Sequence, residues 1–368
     1  MNFENIGELA LRDYKKVKYF PFGNDAGAPF ILTADPLNYL EAWINAEYSS
    51  IIKDKSNNRP KLEKAKYFTR LAKDFYKSSK EAEMPSKGTL IYYSFLNLVK
   101  VFLIMNGLDL ETQIEHHGIS LKANSDLDLK LASGGNGGIF IFQEFAKLLG
   151  KEIDTRSGVE LNFLKILRSL PEVHEIGYAL NIFPDTKRKF LPVEIDIRTD
   201  LTRKKIYYTL AYEKKFDKIM KTHKLEKNSC KELLSPIEAT LDNQKKYFIS
   251  TFRTSYTHSS DTSWKICYPK LVNNINQLNI NTMITRRGYR LYLDLEPSHL
   301  HRLSSTLAFA YYIGTVARYR PSLNEKVLKG KYQAIINEAV ISCPNQFFYC
   351  LVSKITKQVC AIPMAKVD

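Results

Sequence analysis

The chain has few of the residues that redox and metal chemistry depend on. It holds five cysteines in 368 residues, Cys230, Cys267, Cys343, Cys350 and Cys360, with no C-x-x-C pair and no finger spacing. An odd, scattered set excludes a zinc ribbon or a disulfide framework and leads one to expect reduced thiols in a cytoplasmic protein. The only glycine-rich stretch, "SGGNGG" at 133–138, lacks the Lys-Ser/Thr of a P-loop and the spacing of a dinucleotide fingerprint. It reads as a turn between strands. No nucleophile elbow, internal repeat or low-complexity tract occurs. The opening "MNFENIGELALRDYKKVKYF" has acids early and no apolar core, so neither a secretory signal nor a transit peptide is expected.

Acidic residues are also scarce: 39 Asp and Glu face 54 Lys and Arg, a net charge of +15. Two segments carry nearly all of it. Residues 53–80 hold ten basic and three acidic side chains, and residues 187–227 hold thirteen and six, a net +7 each. Two readings fit this concentration. One is a solvated lysine-rich surface. The other is a face for a polyanion, with Lys61, Lys64, Lys66, Arg70, Lys73 and Lys77 on one segment and Arg203, Lys204 and Lys205 on the other as the nucleic-acid surface.

One long apolar run is present. "LIYYSFLNLVKVFLIM", Leu90–Met105, is 16 residues and contains Ser94, Asn97 and Lys100. A bilayer needs about 20 residues, so the run reads as a core helix, and no membrane partner is expected.

Helical periodicity predicts helices at 36–54, after the N-cap Asp35 and with Pro36 in the first turn, at 60–82 after Asn58, and at 88–106. Period-2 alternation begins at Leu127, Leu129 and Leu131. Further strands are predicted at 176–183, 190–198, 204–212, 246–256 and 288–295, with one helix at 159–169. Helices return at 298–319 and 330–342. The expected fold is α+β: a helical bundle built from an N-terminal part (1–122) and a C-terminal part (291–368), with a β-rich middle (123–290) inserted.

"LIYYSFLNLVKVFLIMNG", "HHGIS" (116–120), "ILRSLPEV" (166–173) and "ARYRPSL" (317–323) resemble the YaaC-like family of bacterial proteins in order and spacing, from about residue 35 to the C-terminus. Asn324 departs from the aromatic common in the family at that point. The resemblance names relatives and supplies no activity. The first helices are also similar to those of the HEPN superfamily of nucleic-acid-linked proteins, which implies a metal-independent ribonuclease as an alternative function.

Tyr93, Asn97 and Lys100 share one helix face at i, i+4 and i+7. If the terminal helices pack together, these three converge with His117, Arg318 and Arg320 on one anion site, where His117, Arg318 and Arg320 are the weak catalytic candidates. Alternatively, each cation caps a helix or pairs with a carboxylate. HEPN-type Arg–His pairs occur at Arg168/His174 and Arg253/His258, a number near chance. Asp185, Asp196 and Arg198 match a metal-nuclease pattern only with arginine in the lysine's place, and a hairpin explains the same letters. His299 and His301, two apart, do not face each other on a helix. No metal and no cofactor are expected. The partner is a nucleic acid, a nucleotide or another protein, the last as a non-catalytic subunit in a bacterial defence or stress system.

Overall fold

The computed structural model describes residues 6–12, 15–19, 30–54, 59–132, 138–153, 159–184, 188–222, 230–237, 242–257, 260–285 and 288–363. Its helices, numbered in chain order, are α1 (Pro36–Asp54), α2 (Arg59–Glu81), α3 (Ser86–Met105), α4 (Ile141–Leu148), α5 (Phe163–Arg168), α6 (His174–Ala179), α7 (Asp217–Thr222), α8 (Cys230–Leu233), α9 (Asp261–Asn276), α10 (Arg302–Tyr319), α11 (Pro321–Lys329) and α12 (Gln333–Thr356). The protein is α+β. It divides into two compact units, one made of residues 33–183 and 298–356 and the other of 1–32, 184–297 and 357–368.

The first unit is built around α3. Asp35 starts α1 by accepting from the amides of Leu37 and Asn38 at 3.0 and 3.1 Å, which satisfies two of the donors left open at a helix start. The cap expected at Asn58 lies outside the described residues. Side chains on every side of α3 are buried, Phe95, Leu98, Val99, Val101 and Leu103 completely. It packs against α2, α4, α10 and α12, so helices from both ends of the sequence share its surface. By length and composition α3 passes for a membrane span, but 72% of that window is buried inside the protein. It is a core helix, and an all-round apolar surface is what such a position requires.

The approach of α3 to α10 depends on two glycines. A Cβ on Gly88 would lie 2.4 Å from Ile313 Cγ2, and one on Gly314 would lie 3.2 Å from Tyr92 Cβ. Thr89 Oγ1 donates to the Gly314 carbonyl across the same contact, at 3.3 Å.

Several elements differ from expectation. Residues 176–183 form no strand; their first part is α6, because a short apolar run does not distinguish strand from buried helix by its period. In place of a helix at 330–342, α12 runs to Thr356 through Pro344. Buried Phe347, Phe348 and Leu351 beyond the proline hold it in place. Pro321 does end α10, but it also occupies the first turn of the unexpected α11, where a missing N–H costs nothing. Residues 123–183 lie in the helix-rich unit. There, strands Ile119–Leu121, Asp128–Leu131 and Glu160–Asn162 form a small antiparallel sheet. The chain passes between the units at 183/184 and 297/298 rather than at 123 and 290.

The second unit is a twisted antiparallel sheet in the order Leu234–Ile237, Lys245–Ser250, Lys205–Glu213, Phe190–Asp200, Gly288–Asp294, Ile280–Thr285. Alternation puts Leu191, Val193, Ile195 and Ile197 on the face that also carries Ile206, Tyr208 and Leu210. That face packs with Trp264, Leu271, Val272 and Ile275 of α9. α9 was missed in the sequence because Pro269 interrupts its pattern.

Candidate functional site

The contact between α3 and α10 places two tyrosines of one helix beside an arginine of the other. Arg318 donates from Nε to the Gly314 carbonyl one turn back, at 3.0 Å, and from Nη1 to the Tyr93 hydroxyl. Its guanidinium lies over the Tyr93 ring at 5.2 Å and the Tyr319 ring at 5.0 Å. Tyr319 is 70% exposed, an unusual position for a large aromatic side chain. Among the described residues no carboxylate meets Arg318.

His117 follows the short strand Glu115–His116 and is solvent-exposed. Its Nδ1 is hydrogen-bonded to the Tyr92 hydroxyl, and Nε2 has no partner among the described residues. Partial burial, then Arg318, Lys100 and His116, lower its pKa below the ordinary histidine range. Burial raises the Tyr92 and Tyr311 hydroxyls above the ordinary tyrosine range. At neutral pH the cluster therefore consists of a neutral imidazole, protonated phenols and one fixed guanidinium. The Tyr311 ring packs against both Tyr92 and His117, at 5.3 and 6.2 Å between centroids.

The other expected members are committed elsewhere. Lys100 is paired with Glu115 at 2.7 Å and lies over the Phe68 ring at 4.8 Å, so its charge is compensated. Burying the pair's aliphatic parts while matching the charges explains how a lysine is tolerated in so apolar a helix. Asn97 donates from Nδ2 to the Tyr93 carbonyl, a bond within α3. Arg320 clamps the turn after Leu121, donating to the carbonyls of Lys122, Ala123 and Ser125 at 3.1–3.3 Å. Of the six expected residues, Tyr93, His117 and Arg318 come together. Tyr92, Tyr311 and Tyr319 join them without having been foreseen. Only Tyr319, an aromatic between two arginines, carried a local signal.

The basic face of α2 is partly paired: three of its six expected cations meet carboxylates among the described residues. Arg70 and Lys73 bind Glu41 at 2.8 and 3.3 Å, Lys64 binds Asp109 at 3.1 Å, and Lys61 donates to the Met105 carbonyl. Lys66 and Lys77 keep no ionic partner among the described residues. On the sheet, Arg203 lies 3.7 Å from Asp200, Lys205 donates to Ser255 Oγ, and Lys204 occupies a turn at φ +50°.

Of the two local Arg–His pairs, only the first lies wholly within the described residues. His174 is buried, with Nδ1 on the Pro171 carbonyl and Nε2 beside Glu175, and His258 lies outside the described residues. In the nuclease-like pattern, Asp185 and most of the 133–138 glycine stretch are likewise outside them. Asp196 is held by Lys16 and Arg198 at 2.6 and 3.2 Å. Cys267, Cys343, Cys350 and Cys360 lie buried in the interior. Among the described residues no group of three or more His, Cys, Asp or Glu is placed to hold a metal ion.

Fold and cluster together define an α+β protein with an arginine–histidine–tyrosine face at the junction of two core helices. The chain belongs to the YaaC-like protein family, whose sequence model matches residues 33–355. No curated protein and no solved structure matches it.

Proposed function

We propose that the protein binds a phosphate-bearing partner, single-stranded nucleic acid, at the face formed by Arg318, Tyr319, Tyr93 and His117. The observation that carries this reading is Arg318: a guanidinium oriented by a carbonyl and a phenol, without a carboxylate among the described residues, and stacked on a tyrosine 70% exposed to solvent. A phosphodiester meets the guanidinium, and a base stacks on Tyr319. With the Tyr92 hydroxyl donating to Nδ1, His117 keeps its proton on Nε2 and offers a further donor. The net charge of +15 adds a long-range attraction that salt screens.

The test is fluorescence anisotropy with a labelled single-stranded RNA in rising salt. The expected result is binding that weakens linearly in log–log form. Arg318→Ala and Tyr319→Ala should each weaken it about tenfold or more, as expected for a charge-assisted contact and a stacked base. Absence of binding at low salt, or unchanged affinity in both variants, overturns the proposal.

The lowered pKa of His117 favours a second reading, metal-independent RNA cleavage. In the other tautomer Nδ1–H donates to Tyr92, and Nε2 is a base without a partner among the described residues. Cleavage of labelled RNA that persists in EDTA and is lost in His117→Ala supports it. Intact RNA with the wild-type protein rejects it.

A further inference from the structure

His117 is exposed, yet it is held from two sides. α4 fixes its backbone: the Phe142 amide donates to the His117 carbonyl at 3.2 Å, and Gln143 Nε2 donates to the carbonyl of the next residue, Gly118, at 2.7 Å. Gly118 adopts φ +79°, so the turn that presents His117 favours glycine. Tyr92 fixes the side chain through the hydrogen bond between its hydroxyl and Nδ1. Tyr92 is itself locked, at 1% exposure. The Tyr311 ring meets it edge-on at 5.3 Å, the Tyr93 ring lies at 5.4 Å, and its Cβ packs against Gly314.

Proton accounting sets the direction of that bond. The phenol and the neutral imidazole each carry one proton, and either group is able to donate. If the Tyr92 hydroxyl accepted, its own proton would point into the interior, where no other partner meets it among the described residues. A buried donor left unmatched is costly, so the hydroxyl donates and Nδ1 accepts. Acid strength favours the same direction, since the phenol is the stronger acid and the imidazole nitrogen the stronger base. The proton of the neutral ring is thereby confined to Nε2, the nitrogen without a partner among the described residues.

We propose that Tyr92 is a positioning residue that fixes His117 as an Nε2–H donor, so that the face holds a phosphodiester oxygen without supplying a base to cleave the strand. This rests on the binding function proposed for the Arg318 face, and it favours the first of the two readings given there. A nitrogen that donates to an anionic oxygen has no lone pair left for an attacking hydroxyl. Tyr92 touches no ligand itself: at 1% exposure it acts only through the imidazole.

Nitrogen NMR of the full chain, carrying isotope-labelled histidine, reads the tautomer directly. His117→Gln assigns the His117 signal among the seven histidines. At neutral pH, Nε2 should show the shift of a protonated nitrogen and Nδ1 that of an acceptor. Tyr92→Phe keeps the packed ring and removes the hydroxyl, and should draw the two shifts toward each other as both tautomers populate. It should also weaken single-stranded RNA binding about threefold in fluorescence anisotropy, because the ligand must then order the imidazole. In the His117→Gln background the same substitution should change nothing further, a result that a general loss of packing would not reproduce. The wild-type spectrum decides the case if Tyr92→Phe does not fold by circular dichroism. A wild-type Nδ1 that carries the proton, RNA cleaved by the wild-type chain, or unchanged shifts in folded Tyr92→Phe overturns the proposal and leaves the binding role of Arg318 standing. If the wild-type chain binds no RNA, both fall.

Discussion

Glu172 and Arg302 are 130 positions apart in sequence, and their side chains meet at 1% and 9% exposure. Removing one member of such a pair leaves a charge in the interior, which costs about 3–5 kcal/mol. Glu172→Ala should lose that much in urea unfolding, and Glu172→Ala/Arg302→Met should recover most of it. A double variant no better than the single would mean that the pair's charge is not what matters. His301 makes a second residue-scale prediction. Its folded pKa, about 3, lies below the ordinary 6.5, so between these values the unfolded chain binds a proton that the folded chain does not. Stability contributed by this group is complete above about pH 6.5 and falls as pH drops toward 3, by at most about 1.4 kcal/mol per pH unit. The stability gap between wild type and His301→Asn should therefore narrow from pH 7 to pH 5. A constant gap would contradict the assignment. Neither effect was visible in the sequence. There, His301 was simply one half of a His-x-His pair, and Glu172 was part of a family-like motif.

At the scale of elements, the α3–α10 contact positions Tyr93, Arg318 and Tyr319 of the proposed face, and His117 is tied to it through the Tyr92 hydroxyl of α3. Gly88→Ala puts a methyl carbon where Ile313 already sits, a small-to-large change in a close-packed contact that costs about 1–3 kcal/mol. Because the contact orients Tyr93 toward Arg318, the same substitution should also weaken the proposed RNA binding. Loss of stability without any change in binding would separate the face from the helix contact. The helices α1, α2 and α3 were legible to within two residues, because Asp35, two prolines and a 3.6-residue apolar period all agreed. α9 and the second half of α12 were not, since Pro269 and Pro344 lie inside them. Local rules count an interior proline as a stop, whereas here the burial of neighbours such as Leu271 and Phe347 outweighs it.

At the scale of the whole molecule, both ends of the described chain contribute to the sheet-rich unit. Strand Phe30–Leu32 pairs in parallel with Val359–Ala361, where Cys360 is fully buried. A chain ending at Thr356 should lose hydrogen-exchange protection at Phe30–Leu32 while the amides of α3 keep theirs. Equal loss in α3 would show that the units do not open separately.

The sequence by itself determined the α+β class, the family and the apolar core helix. These are legible because periodicity and composition are local properties of the chain; of the six residues expected at one anion site, the structure joins Arg318 directly to Tyr93. Which charges would be free was decided only by tertiary structure. Lys100 found Glu115, Arg320 found three carbonyls, and Glu41 took two cations of α2, while among the described residues Arg318 kept only a phenol, a carbonyl and two rings. Electrostatic pairing acts over a few ångströms in space, and no spacing along the chain encodes which partner arrives there.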